Sequence, residues 1–113
     1  MHELSIASDI LEIVKQYLPE GPVKVNSVSV KVGKQTNILV DSLKFCFEAL
    51  IAKTAMEGAR LRVEEIPVKI ECRNCKNREI IDGFDYRCSQ CGSQNVKIIS
   101  GNELQVTEIE IDD

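Results

Sequence analysis

Cys72-Arg73-Asn74-Cys75, twelve residues, then Cys88-Ser89-Gln90-Cys91 is the stretch that most restricts what this chain can become. A two-residue spacer in a tight turn lets both sulfurs of a pair reach one ion, and two such turns complete a tetrahedron. Turn-forming residues sit where that geometry needs them: Asn74 and Lys76-Asn77 around the first pair, Gly92-Ser93 after the second. Four thiolates at tetrahedral positions favour Zn²⁺; iron, or a redox or disulfide pairing of the same thiols, are the alternatives. The coordination shell is closed, so the cysteines read as a scaffold and the chemistry is expected elsewhere.

The remaining composition narrows the class. A length of 113 residues, with 43% hydrophobic and 28% charged, suits one small soluble domain, or a small core plus a metal-stabilised module. The formal net charge of −4 argues against a nucleic-acid-binding face, which usually concentrates positive charge. No apolar run is long enough for a membrane span, and residues 1–18 lack the basic start and cleavage site of a secretory signal. Four cysteines in metal spacing and one left over fit a reducing cytoplasm better than an oxidising compartment. The fifth, Cys46, lies in an apolar helical stretch and reads as a small buried hydrophobe.

Taken in order, Leu4–Leu18 has the three- and four-residue apolar spacing of an amphipathic helix (Ile6, Ala7, Ile10, Leu11, Ile13, Val14, Leu18), which Pro19-Glu20-Gly21-Pro22 stops. Val23–Val32 alternates as a strand, with a one-residue phase shift at Asn26-Ser27 that fits a bulge or a late start. After a turn at 33–37, Val40–Met56 reads as a second helix with Leu43, Phe47, Leu50 and Ile51 on its apolar stripe and Gly58 beyond its end. A second strand starts at Ala59 and is expected to run past Pro67 through Val68 and Ile70 into the first cysteine pair. The third, Glu103–Ile111, alternates at Leu104 and Val106 and resumes out of phase at Ile109, so a bulge is expected near Thr107-Glu108.

These elements predict an α+β fold: two helices packed on a small three-stranded antiparallel sheet, with an inserted zinc-ribbon-like module. A lone strand after the cysteines can bury its apolar face only against the first part. The expected division is therefore 1–68 plus 101–113 as one domain and 69–100 as the metal module. That module has too few large apolar residues to fold by itself, so its metal must supply folding free energy. The acidic end (Glu108, Glu110, Asp112, Asp113) reads as a solvated, protected edge strand.

The single histidine is residue 2. The α-amine of Met1, the His2 backbone amide nitrogen (if deprotonated) and the His2 imidazole can close fused chelate rings on one ion, with the Glu3 amide or carboxylate as a fourth donor. Nitrogen and oxygen donors held near a plane suit Ni²⁺ or Cu²⁺, in contrast to the sulfur knot. A second residue as large as His should leave Met1 in place.

Met1-His2-Glu3-Leu4-Ser5-Ile6-Ala7 opening a helix, the four cysteines at their spacing, and a closing strand begun by Gly101-Asn102-Glu103-Leu104 together resemble the HypA family (HypA/HybF) of hydrogenase-maturation nickel chaperones over essentially the whole chain. The resemblance implies a nickel site at Met1, His2 and Glu3 and a structural zinc site at Cys72, Cys75, Cys88 and Cys91. It implies Ni(II) as transferred cargo and Zn(II) as structural cofactor. It also implies delivery to a [NiFe]-hydrogenase large subunit with a HypB-type GTPase as partner, and a homodimer is an assembly to test. Feeding urease maturation is a related use. Two positions depart from the family pattern: Gly33 is followed by Lys34 rather than an acidic residue, and no further histidine lies near the cysteines, so any additional nickel ligand must be a carboxylate, a backbone group, water or a partner's group.

This reading is of a metal-transfer protein and not an enzyme, since no nucleotide-binding glycine loop and no Ser/Cys-His arrangement is present. The alternative is a zinc-ribbon interaction module for nucleic acid or a transcription complex, using Phe84, Tyr86, Arg73, Lys76, Arg78 and Arg87. A Cys-x-x-Cys oxidoreductase is a third reading, and it requires a reversible disulfide.

Overall fold

Ile6, Ala7, Ile10 and Val14 all fall on one side of a helix, and burying that side is what holds α1 (Glu3–Tyr17) in place. In the computed structural model, which describes residues 3–21, 23–83 and 85–112, α1 packs beside α2 (Val40–Ile51), whose Leu43, Phe47 and Ile51 point into the same core. Both helices cover one face of a sheet whose middle strand is β1 (Val25–Gly33), with Val28, Val30 and Val32 turned towards them. The flanking strands are β2 (Arg60–Ile66), which exposes Arg60, Arg62 and Glu64 on its other face, and β6 (Leu104–Ile111). The fold is α+β as expected.

One detail of the sheet differs from the expectation. β1 and β6 are antiparallel, but β1 and β2 run parallel, Val28 facing Leu61 and Val30 facing Val63, so the sheet is mixed. The physical reason is the connection: a whole helix separates β1 from β2, long enough to carry the chain back to the starting end before the next strand begins. Both phase shifts in the sequence mark real irregularities. The β1–β6 register slips between Val25 and Ser27, and again where Ser29 faces Glu108 and Val30 faces Val106, leaving Asn26 and Thr107 as extra residues.

Two boundaries also move. α2 ends at Ile51 rather than Met56: Lys53 takes φ 62°, Thr54 Oγ1 donates to the Ile51 carbonyl, and Lys53 N–H donates to Glu57 Oε2 at 2.9 Å. Short side chains that bond nearby backbone compete with helix continuation, and here they win. The strand expected to run through Pro67 is broken there, because proline has no N–H to give a ladder. β2 stops at Ile66, and Val68–Cys72 is a separate strand, β3, in a second sheet.

That second sheet has β3 in the middle, flanked by β4 (Arg78–Ile81) and β5 (Val96–Ser100), all antiparallel. The radius of gyration is 17.5 Å, against about 13 Å for one compact domain of this length; the extra extent reflects two separate sheets. Where they meet, backbone lies on backbone. A Cβ on Gly33 would overlap the Gly101 carbonyl, and one on Gly101 (φ +105°) would lie 2.6 Å from Val68 Cα. Gly33 N–H donates to the Glu103 carbonyl and Gln35 N–H to the Gly101 carbonyl, both at 2.8 Å, and Gly101 N–H donates to Glu103 Oε1 at 2.8 Å. Only glycine fits either position. Among the described residues no helix is long and apolar enough to cross a membrane.

Candidate metal centre

The two Cys-x-x-Cys turns are built alike. In the first, Lys76 N–H donates to the Cys72 carbonyl (3.0 Å) and Cys72 N–H to the Asn77 carbonyl (2.8 Å). In the second, Gly92 N–H donates to the Cys88 carbonyl (2.8 Å) and Cys88 N–H to the Ser93 carbonyl (2.9 Å). Each turn needs a left-handed residue at the same place; the second uses Gly92 (φ 73°), the first forces Lys76 to φ 66°. Asn74 Nδ2 donates to Ser93 Oγ at 2.9 Å, and Arg73 N–H to the Asn95 carbonyl at 2.9 Å, clamping one turn against the other.

The result is convergence of four thiols. All four sulfurs lie within 4.8 Å of one another, with Cys72 and Cys88 buried and Cys75 and Cys91 exposed. Cys72 Sγ and Cys91 Sγ are 3.5 Å apart, as are Cys75 Sγ and Cys88 Sγ. Zinc–sulfur bonds of about 2.3 Å put tetrahedral sulfurs about 3.8 Å apart, so this donor set fits structural Zn²⁺. The thiols are also electronically unequal. The Cys91 backbone amide holds the Cys88 thiol down to about 6, and the Cys75 amide lowers Cys72. At Cys91 the Ser93 amide favours the thiolate, but the neighbouring Cys72 sulfur and burial outweigh it and push the group up to about 12; Cys75 is raised for the same kind of reason, against the Asn77 amide. Each 3.5 Å sulfur–sulfur contact therefore joins one thiol whose deprotonation is favoured to one whose deprotonation is opposed. A divalent ion displaces the protons that remain.

Beside the cluster, Glu71 is buried and held by Arg78 Nε at 2.8 Å and Lys97 Nζ at 3.1 Å, one cation from each neighbouring strand. Those contacts, the Arg78 hydrogen bond first, hold its carboxyl below the usual range. Sequence reading missed this triad, because it depends on cross-strand register: Glu71 faces both Arg78 and Lys97. It also weakens the nucleic-acid alternative. Arg73, Lys76, Arg78 and Arg87 are all exposed, but Arg78 is engaged by Glu71 and Arg87 lies 3.8 Å from Asp85, so two of the four cations already face a carboxylate. Tyr86 is half-buried, in a cleft with Pro67, Ile80 and Ile81, and Phe84 lies outside the described residues.

Of the terminal motif, Met1 and His2 lie outside the described residues. Glu3 opens α1 and points at α2: its Oε2 accepts the Leu39 N–H at 3.3 Å. No sequence signal announces that contact, which joins residues far apart in the chain. Cys46 is partly buried against the helical core, away from the other four thiols.

The family model described as "Hydrogenase/urease nickel incorporation, metallochaperone, hypA" matches residues 1–111. The chain belongs to the HypA family. The hydrogenase maturation factor HypA of Desulfatibacillum aliphaticivorans is 44% identical over 115 aligned positions, covering 100% of this chain and 88% of that one. The HypA of Desulfosudis oleivorans is 40% identical, with 98% of each chain covered. Among solved structures, the solution structure of the Ni metallochaperone HypA from Helicobacter pylori superposes with a TM-score of 0.67 at 25% identity, covering 98% of this chain and 97% of that one. The HypA match therefore takes in the terminal motif, both sheets and all four cysteines.

Proposed function

We propose that this chain is a nickel metallochaperone that binds Ni(II) through the Met1 amine, His2 and Glu3 and delivers it for maturation of a [NiFe]-hydrogenase. The single observation that carries the reading is the HypA-family match from residue 1 to residue 111, which spans the terminal motif and the cysteine cluster in one alignment. Nickel is cargo in this reading, and the protein carries an ion rather than turning over a substrate.

Zinc is the resident metal. Cys72, Cys75, Cys88 and Cys91 would hold it, and bound there it supplies a cross-link between the two turns. Its four protein ligands leave no open position for chemistry. The working division is residues 1–68 with 101–113 as the nickel-handling part and 69–100 as the zinc module. A HypB-type GTPase and the hydrogenase large subunit are the partners this reading calls for.

The deciding experiment is calorimetric Ni²⁺ titration of zinc-loaded protein with a native, untagged N-terminus, beside His2→Ala. About one Ni²⁺ per wild-type chain, with zinc retained and binding lost in the variant, is the expected result; a 1:1 site engages the terminal motif once. Equal binding by both proteins would remove His2 from the site and sink the mechanism.

A further inference from the structure

β6 is an edge strand, paired with β1 along one side only. Among the described residues its backbone, from Leu104 to Ile111, makes no hydrogen bond outside that pairing, so the N–H and C=O groups on its outer side stand unpaired. At about 3.4 Å per residue, its eight residues offer a template roughly 27 Å long. Val106 and Ile109 pack towards the helices, while Glu108 and Glu110 lie on the open face of the sheet. A groove of about 390 Å³ runs beside this edge, between Ile13 and Tyr17 of α1 and Val106, Thr107, Glu108 and Ile109 of β6. Tyr17 is 74% exposed, more than any other large apolar or aromatic side chain among the described residues. An exposed aromatic beside an unpaired strand edge is a surface with both apolar area and backbone bonds to offer.

Charge selects the occupant. Glu108 and Glu110 stand on the strand and Asp112 just beyond it, and among the described residues none of the three lies within ion-pair distance of a cation. The one cation facing β6 across the ladder, Lys31, is opposite Gln105 instead. A second copy adding its own β6 antiparallel would set these carboxylates against one another, and like charges directly opposite are destabilising. We propose that the outer edge of β6 and the groove beside Tyr17 take up an extended segment of a partner protein, with alternating apolar and basic residues, as a fourth strand of the first sheet. Its backbone pairs with the outer N–H and C=O groups of β6. Its apolar side chains enter the groove against Ile13 and Tyr17, and its basic ones meet Glu108 and Glu110 on the other face. The carboxylates thus serve twice, keeping β6 of another copy away and favouring a strand of opposite charge. None of these residues belongs to either metal motif, so the proposal stands apart from the nickel reading.

The test uses the full zinc-loaded chain and two capped synthetic peptides as probes, one alternating valine with lysine and the other valine with glutamate. Amide chemical shifts and hydrogen exchange of β6 are followed during titration. The basic peptide should bind and slow exchange of those β6 amides that point away from β1, and the acidic peptide should not bind. Glu108→Lys with Glu110→Lys, both on exposed positions, should weaken the basic peptide by about tenfold or more and admit the acidic one. Tyr17→Ser should weaken it by roughly threefold through lost apolar contact. Circular dichroism checks that both variants keep the wild-type fold. The proposal is overturned if the basic peptide does not bind at millimolar concentration, or if both peptides bind alike. It is also overturned if the basic peptide binds without protecting the outer amides, since contact is then by charge alone. Sedimentation showing a dimer that protects those same amides would make a second copy the occupant and overturn it as well.

Discussion

Among the described residues, fourteen buried side chains from Ile6 to Leu61 pack as one cluster beneath α1 and α2, all apolar. In the second sheet and its metal turns the buried side chains are Val68, Ile70, Glu71, Cys72 and Cys88, a carboxylate and two thiols against two aliphatic side chains. The first region is held by area removed from water, at about 25 cal/mol per Å². The second has too little of that area and depends on one ion and the hydrogen-bonded turns around it. Two sheets of three strands each thus reach order by different physics, and perturbations should separate them.

The largest separation should come from the metal. Stripping zinc with a chelator, or Cys88→Ser, should remove binding free energy on the order of 10 kcal/mol from the second sheet. Backbone amide signals of β3, β4 and β5 should collapse into the unfolded range while those of α1, β1 and α2 stay dispersed. Acid acts with the same sign: the metal-bound thiolates are stabilised relative to thiols, so protons compete more strongly as pH falls and zinc is released from the acid side. Simultaneous loss of both regions would show that the contrast is false.

Phe47→Ala is the reverse probe. Phe47 is fully buried in the helical core, and its truncation should lower the stability of that region by about 3–5 kcal/mol. Denaturant unfolding followed by circular dichroism should show the loss, and zinc content measured below the transition should be unchanged. If zinc leaves with the helices, the two regions are one cooperative unit.

The smallest effect sharpens the comparison within the metal turns. Gly92 has open space around its missing Cβ, so Gly92→Ala isolates the left-handed backbone cost, about 1 kcal/mol. Lys76→Gly at the equivalent place should relieve part of the same strain. Competition with a zinc indicator should therefore show weaker retention for the first variant and equal or slightly stronger retention for the second. Equal effects of the same sign at both turns would contradict their shared geometry.

Much of this architecture is legible in the amino-acid sequence, for identifiable reasons. The four cysteines converge as their spacing demands, and the phase slips at Asn26 and Thr107 appear as bulges because alternation records which face a residue takes. Alternation says nothing about direction, so the parallel pairing of β1 with β2 follows only from the length of their connection. The end of α2 is hidden by Thr54 and Glu57, whose side chains compete with the helix in ways periodicity does not register. Pro67 is a plain strand breaker, but the apolar alternation on either side of it masks a change of sheet. Contacts such as Glu3 with Leu39 and Glu71 with Lys97 belong to no local pattern, since they exist only once distant segments have been brought together.

The close approach of Val68 and Gly101 has one more consequence. The chain leaves the helical region and returns to it at nearly the same point, so everything between is a loop whose ends already touch. Closing such a loop costs free energy that grows only with the logarithm of its length. What hangs there is therefore an exchangeable cassette: it can be shortened, enlarged or swapped for another metal knot while the helical region sees the same two backbone stubs. Whatever surface that cassette presents can drift in evolution, or be regrafted at the bench, without reopening the problem of how the rest folds.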